Sequence, residues 1–263
     1  MRSSEWIAFT FFVYLALVCW LRPVSPRRRR EITGVSAAVL AVIWLGAAYL
    51  PPGARDWAPL GYVTIAYFLT GLLFVQPSET LEAWLAAWDR RLLGRPTHRF
   101  SAWPAALVGY LEIVYMCCFL LLPGGLAALM VAGHAGVANH YWTMVLAADL
   151  GAFAPLSVFQ TRPPWLLEAP PVLADTSVHR LASHFVENAT IRVNTFPSGH
   201  VAVSLAVAAA VVNQMPLTGV LLFALAVSVS IAAVVGRYHY VIDILTGAAL
   251  AGVVWLVVAL TGM

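Results

Sequence analysis

Eight long apolar runs dominate this sequence and leave little chain for anything else. They fall at about residues 6–21, 32–50, 60–76, 104–131, 139–160, 198–213, 217–236 and 240–261. A helix that crosses the hydrocarbon core of a bilayer takes roughly 20 apolar residues. In lipid, only helices and closed barrels satisfy their own backbone hydrogen bonds. Eight helices with their connections nearly exhaust 263 residues, so no room is expected for a separate soluble domain. A chain that is 61% hydrophobic and 10% charged also lacks the polar residues to coat a soluble surface. The expected fold is therefore all-α, a polytopic membrane helix bundle. The first run, Trp6 to Leu21, has no basic N-terminal flank and no small-residue cleavage site after it, and reads as a retained helix. The run at 104–131 contains Pro123-Gly124-Gly125, which predicts a kink or a break.

Three connections carry information. Residues 22–31 read RPVSPRRRRE, a compact basic turn. Residues 77–103 contain Leu81, Trp84, Leu85, Trp88 and Leu92 at helical spacing, with Glu82, Asp89 and Arg90 elsewhere. This pattern predicts an amphipathic helix at about 78–93, lying in the headgroup zone or packed on the protein's own surface. Residues 161–197 form the longest polar connection, with a short helix expected at about 177–188. Parity places all three connections and the turn at 237–239 on one membrane face. That face holds Arg22, Arg27 to Arg30, Arg90, Arg91, Arg95, Arg99, Arg162, Arg180, Arg192 and Arg237, and the other holds only Arg2 and Arg55. The positive-inside rule makes the arginine-rich face cytoplasmic, in a plasma or inner membrane. The chain has no lysine. Its three cysteines, Cys19, Cys117 and Cys118, sit inside apolar runs and read as small apolar residues without a disulfide or metal framework.

The strongest local signal is Phe196-Pro197-Ser198-Gly199-His200, followed by an apolar helical run. The unpaired first-turn amides of such a helix form an anion site. Ser198 adds a hydroxyl, Gly199 lets an anion approach the backbone, and His200 adds a titratable group. The plainer reading is a capped helix with an interfacial histidine. The second signal is GRYHYVIDILTG at 236–247, in which His239 and Asp243 share one helix face. The carboxylate can fix the imidazole tautomer and leave its other nitrogen free as base, nucleophile or ligand. The plainer reading is an interfacial His–Asp pair, but an ionisable pair at the end of an apolar run is a functional hypothesis by default. The third is Arg162-Pro163-Pro164-Trp165. It is either a guanidinium that forks onto phosphate or an ordinary interfacial anchor. Glu112 and Asp149 lie within apolar runs and are expected to bond internally, with tyrosines such as Tyr110 or Tyr115 or with each other. His134, His140, His179 and His184 are given no role.

These motifs together resemble the type 2 phosphatidic acid phosphatase superfamily. The superfamily pattern is Lys-x6-Arg-Pro, then Pro-Ser-Gly-His, then Ser-Arg-x5-His-x3-Asp. This sequence keeps Arg162-Pro163, the whole of Pro197 to His200, and His239 with Asp243. The resemblance covers about residues 60–261 and implies a six-helix core at 60–263. The two N-terminal helices and their basic turn, at 1–59, are then an addition. The superfamily lysine falls at Pro155, and the arginine before the last histidine falls at Ala233. Arg237, Arg192 and Arg180 are candidate substitutes. Two histidines and an aspartate without the full basic set also resemble the inositol phosphorylceramide synthase and sphingomyelin synthase branch, which moves a phospho-headgroup between lipids.

The resemblance implies a lipid phosphatase or lipid phosphotransferase. In it His239 is the nucleophile that becomes a phosphohistidine, and Asp243 orients it. His200 protonates the leaving oxygen and then activates water or an acceptor. Arg162, Ser198, Gly199, Arg192 and Arg237 are the expected substrate-binding residues. No metal and no cofactor are called for. The expected partners are a membrane lipid phosphoester and a second lipid or polyol acceptor, with no nucleic acid. Two other readings keep the same residues. One is a non-catalytic lipid-binding or transport protein. The other is a metal-dependent membrane hydrolase, since two histidines and a carboxylate are also a metal-binding set.

Overall fold

The computed structural model describes residues 1–168 and 176–262, and these form an all-α bundle with no strand among them. The helices are α1 (Ser3–Leu21), α2 (Pro26–Tyr49), α3 (Pro52–Leu72), α4 (Glu79–Leu93), α5 (Pro96–Ser101) and α6 (Ala105–Val131). They continue with α7 (Ala138–Phe153), α8 (Ser177–Ala189), α9 (Gly199–Val212), α10 (Pro216–Val235) and α11 (Val241–Thr261). The stretch at 169–175, within the long polar connection, lies outside the described residues.

Each apolar run becomes a helix, and local chemistry sets where several of them start. Proline opens α2, α3 and α10, where its missing N–H costs nothing. Ser25, Ser78, Thr176 and Ser198 cap α2, α4, α8 and α9 through their side-chain oxygens. Among the described residues, five helices, α1, α2, α6, α10 and α11, are long and apolar enough to cross a membrane, and α9 is a shorter apolar helix. The other two runs differ in kind. α3 carries Arg55 and Asp56 near its start, and α7 has 16 residues, most of them buried inside the bundle. α6 is one helix across Pro123, so the expected break does not occur.

α7 and α9 are the inner helices. α9 packs on α6, α7, α10 and α11, and α7 also packs on α1 and α3. One hydrophobic core runs from Phe12 and Leu15 of α1 through Trp142 and Leu146 of α7 to Val203 and Val207 of α9. At the end of the bundle that holds the start of α1, carboxylates answer both arginines. Arg55 forks onto Glu5, Arg2 bonds Asp56 at 2.5 Å, and the Trp142 indole donates to the Asp56 carbonyl at 2.6 Å. α4 covers the opposite end. It is amphipathic as expected, but its inward face carries Glu82, Leu85 and Asp89, all buried, while Trp84 and Leu92 point outward. Glu82 and Asp89 of this helix therefore serve the protein interior rather than solvent.

Candidate active site

The start of α9 is fixed against the start of α11. The Ser198 amide donates to the Asp243 carbonyl at 3.0 Å, and the Ser198 hydroxyl accepts from the Val201 amide at 3.4 Å. Ser198 is wholly buried in this capping role. Gly199 then opens the helix at a crowded point. A Cβ there would stand 3.0 Å from the Phe153 ring and 3.2 Å from an Asp149 carboxylate oxygen. A larger residue at 199 would require the Phe153 and Asp149 side chains to give way at the first turn of α9.

His239 sits in the turn between α10 and α11. The amides of Tyr238 and His239 both donate to the Ala233 carbonyl, at 2.9 and 3.0 Å, and Arg237 takes a left-handed conformation at φ 58°. The Nδ1 of His239 lies 3.0 Å from the Thr195 carbonyl and 3.4 Å from Oδ2 of Asp243. The same Oδ2 accepts from the Tyr240 amide at 2.9 Å. Both neighbours of Nδ1 are acceptors, so they fix the proton there and leave Nε2 with its lone pair. The main-chain carbonyl of Thr195 is the nearer partner, ahead of the carboxylate expected from the i, i+4 spacing. Thr195 is itself held by Thr161. Its amide donates to the Thr161 hydroxyl at 3.1 Å, and the two hydroxyls are 2.8 Å apart.

The imidazoles of His200 and His239 face one another, with ring centroids 5.6 Å apart and planes at 65°. Tyr115 and Phe119 of α6 pack on His200 at 5.3 and 5.2 Å, and Tyr115 stacks on Tyr238 at 4.2 Å. Both histidines line a cavity of about 360 Å³. Its walls are mostly apolar, including Val63, Leu122, Phe153 and Val203. A family model described as the PAP2 superfamily matches residues 83–257. The chain belongs to the PAP2 superfamily. No curated protein and no solved structure gives a significant match.

The arginines of this PAP2-superfamily protein divide into two kinds. Arg162 is tied to α4. Its amide, Nε and Nη2 reach the Glu82 carboxylate at 2.7, 3.1 and 2.8 Å. Arg237 is fully buried, with Nη1 on Asp89 at 2.8 Å and Nε and Nη2 on Glu168 at 3.0 and 2.8 Å. Burial opposes the charge on Arg237, but its bonds to Glu168 and the Asp89 carboxylate outweigh that and raise its pKa overall. Neither guanidinium lines the cavity, whereas Arg192 does. Arg192 is exposed and takes a left-handed conformation at φ 53°. Two residues on, Asn194 has φ 63°, and its side-chain oxygen and nitrogen are buried without a partner in the cavity wall. Arg180, the third candidate, lies on α8 outside the cavity lining. The superfamily's two missing basic positions hold Pro155, in a short 3₁₀ turn, and the buried Ala233.

The two carboxylates expected to bond internally behave differently. Glu112 pairs with Nδ1 of His179 on α8 at 2.5 Å, which gives His179 the partner that its sequence context did not show. Asp149 bonds to no tyrosine and not to Glu112. It lines the cavity beside Gly199. A lone carboxylate in an apolar run was the available signal, and only the packing of α7 on α9 reveals where it points. Among the described residues, no group of three or more His, Cys, Asp or Glu side chains gathers as a metal-ligand set.

Proposed function

We propose that this PAP2-superfamily protein is an integral membrane lipid phosphatase or phosphotransferase that works through a phosphohistidine on His239. Superfamily membership supports a phosphatase- or phosphotransferase-type lipid enzyme. The observation that carries the finer reading is the paired geometry of the histidines. The Nδ1 of His239 is committed to Thr195 and Asp243, and His200 stands across the same cavity at 5.6 Å.

In this reading the free Nε2 of His239 attacks phosphorus, and the bond from phosphorus to the leaving oxygen breaks. His200 gives its proton to that oxygen. Water or an acceptor hydroxyl then attacks, the phosphorus–nitrogen bond breaks, and His200 takes the proton back. The positive imidazole that forms is stabilised by the Asp243 carboxylate. The first-turn amides of Gly199 and His200, with Arg192 at the cavity wall, receive the phosphoryl oxygens, where the charge of the transition state develops. Arg192 is favoured over Arg162 and Arg237 because it lines the cavity while the other two are held by carboxylates.

A lipid substrate is supported by the walls. The cavity is bounded by α3 and α6, which do not pack closely on each other, and Phe68 on α3 is half exposed at its edge. An apolar chain can lie in such a slot while its phosphate reaches the histidines. Transfer of a headgroup, as in the inositol phosphorylceramide and sphingomyelin synthase branch, is supported by the retained pair of histidines and aspartate without the superfamily's lysine and second arginine. The test is to incubate the purified protein with lipids that bear phosphate, diphosphate or a phospho-headgroup. Each is presented with and without diacylglycerol, ceramide or inositol, and His239→Ala is the control. Free phosphate lost in the control marks a phosphatase, and a new headgroup-bearing lipid marks a transferase. Neither product from folded protein would overturn the reading.

A further inference from the structure

Two carboxylates on one surface helix grip both turns that build the site. Glu82 and Asp89 are seven residues apart on one face of α4, and both are buried while Trp84 and Leu92 face outward. Glu82 takes the amide and guanidinium of Arg162. Asp89 divides its oxygens. Oδ2 accepts from Nη1 of Arg237 at 2.8 Å, and Oδ1 accepts from the Val241 amide at 2.8 Å. Those donors stand two residues before and two residues after His239. The Val241 amide belongs to the first turn of α11, where no partner exists within the helix itself. Asp89 therefore caps α11 from another helix and pins the far side of the same turn through Arg237. Glu168 occupies the remaining Nε and Nη2 of that guanidinium, and the Arg237 carbonyl accepts from the Trp165 amide at 3.0 Å.

We propose that Asp89 is a positioning residue for the nucleophile: through Arg237 and the Val241 amide it sets the turn that aims the His239 imidazole, and Arg237 is a strut of that turn rather than a phosphate ligand. The inference rests on the phosphohistidine reading above. It makes a surface helix part of the catalytic framework, outside the residues that touch substrate. All three nitrogens of Arg237 face carboxylates, and its side chain is fully buried away from the cavity, so no part of it is presented to an anion. A nucleophile displaced by about 1 Å loses roughly a hundredfold in rate without any change in the groups that bind substrate.

The test compares wild type with Asp89→Asn and Arg237→Lys in lipid nanodiscs. The substrate is the most active lipid of the panel above, and inorganic phosphate is the probe of the anion site. Single-turnover labelling of His239, KM, the inhibition constant of phosphate and a thermal melt are read together. Positioning predicts that the labelling rate falls by about a hundredfold, while KM and the phosphate constant stay within about threefold. Glu168→Gln loosens the same guanidinium from its more exposed side. It gives the same pattern at smaller amplitude, and it carries the test if Asp89→Asn does not accumulate as folded protein. A labelling rate near wild type in folded variants overturns the proposal. So does a loss confined to KM and the phosphate constant, which is the mark of a direct phosphate ligand. A wild type that turns over lipid without labelled His239 has a different signature: it sinks the phosphohistidine reading, and this proposal with it.

Discussion

Gly247 of α11 lies directly against the main chain of Ser198, so that a Cβ at position 247 would stand 2.4 Å from the Ser198 carbonyl oxygen. This contact, with the Ser198 amide bond to the Asp243 carbonyl, sets how closely α9 approaches α11 and hence how far His200 stands from His239. The obstacle is backbone and cannot rotate away. Gly247→Ala is expected to force the helices apart, at about 1–3 kcal/mol of stability, and to reduce turnover at least tenfold. A melt and a rate assay on the same preparation check this. Unchanged activity would show that the helix spacing tolerates a methyl group.

The two histidines should fail in different ways. His239→Ala removes the nucleophile and is expected to abolish both turnover and phosphoenzyme. His200→Ala leaves the nucleophile and removes the proton carrier, so turnover is expected to fall by about 10²–10⁴-fold. In that variant, a substrate with a good leaving group still labels His239, and the label persists. Rapid-quench labelling separates the two. Phosphoenzyme in His239→Ala with none in His200→Ala would reverse the assignment of roles.

Among the arginines, Arg192 should dominate substrate binding. Arg192→Ala is expected to raise KM and the inhibition constant of phosphate by about tenfold, as loss of a charge-assisted hydrogen bond implies. Arg162→Ala removes a cation already paired with Glu82 and should act mainly on stability. Inhibition by inorganic phosphate, measured for both variants, decides the matter. A larger loss of phosphate affinity in Arg162→Ala than in Arg192→Ala would count against this ranking.

The helices at the eight apolar runs were legible because a long apolar stretch states its helix by itself, but among the described residues only five of them are long and apolar enough to cross a membrane. The helix at 79–93 was likewise visible in its periodicity, and the short helix expected at about 177–188 forms at 177–189. The two-histidine core was legible because Pro197 to His200 and His239 to Asp243 are each local in sequence. The electrostatics were not. Glu82 meets Arg162 across 80 residues, and Asp89 meets Arg237 across 148, so nothing near either arginine reveals that a carboxylate has claimed it. The same holds for Thr195, whose main-chain carbonyl takes the bond that spacing alone assigns to Asp243. Any residue can supply a carbonyl, so side-chain chemistry could not point to it.

The cavity wall offers a test of lipid entry that does not touch the chemistry. Thr64 of α3 is exposed, lines the cavity, and bonds only to the Leu60 carbonyl of its own helix, at 2.8 Å. Thr64→Trp places a large ring in the slot between α3 and α6 without disturbing a buried partner. If the chain of the substrate enters there, the variant should lose roughly tenfold or more in kcat/KM on long-chain lipids. A water-soluble short-chain phosphoester, which needs no slot, should lose little. The dependence on chain length is the informative quantity, because damage to the histidines would lower both rates together. An equal fall for long and short chains would place lipid entry elsewhere and leave the α3–α6 slot as packing alone.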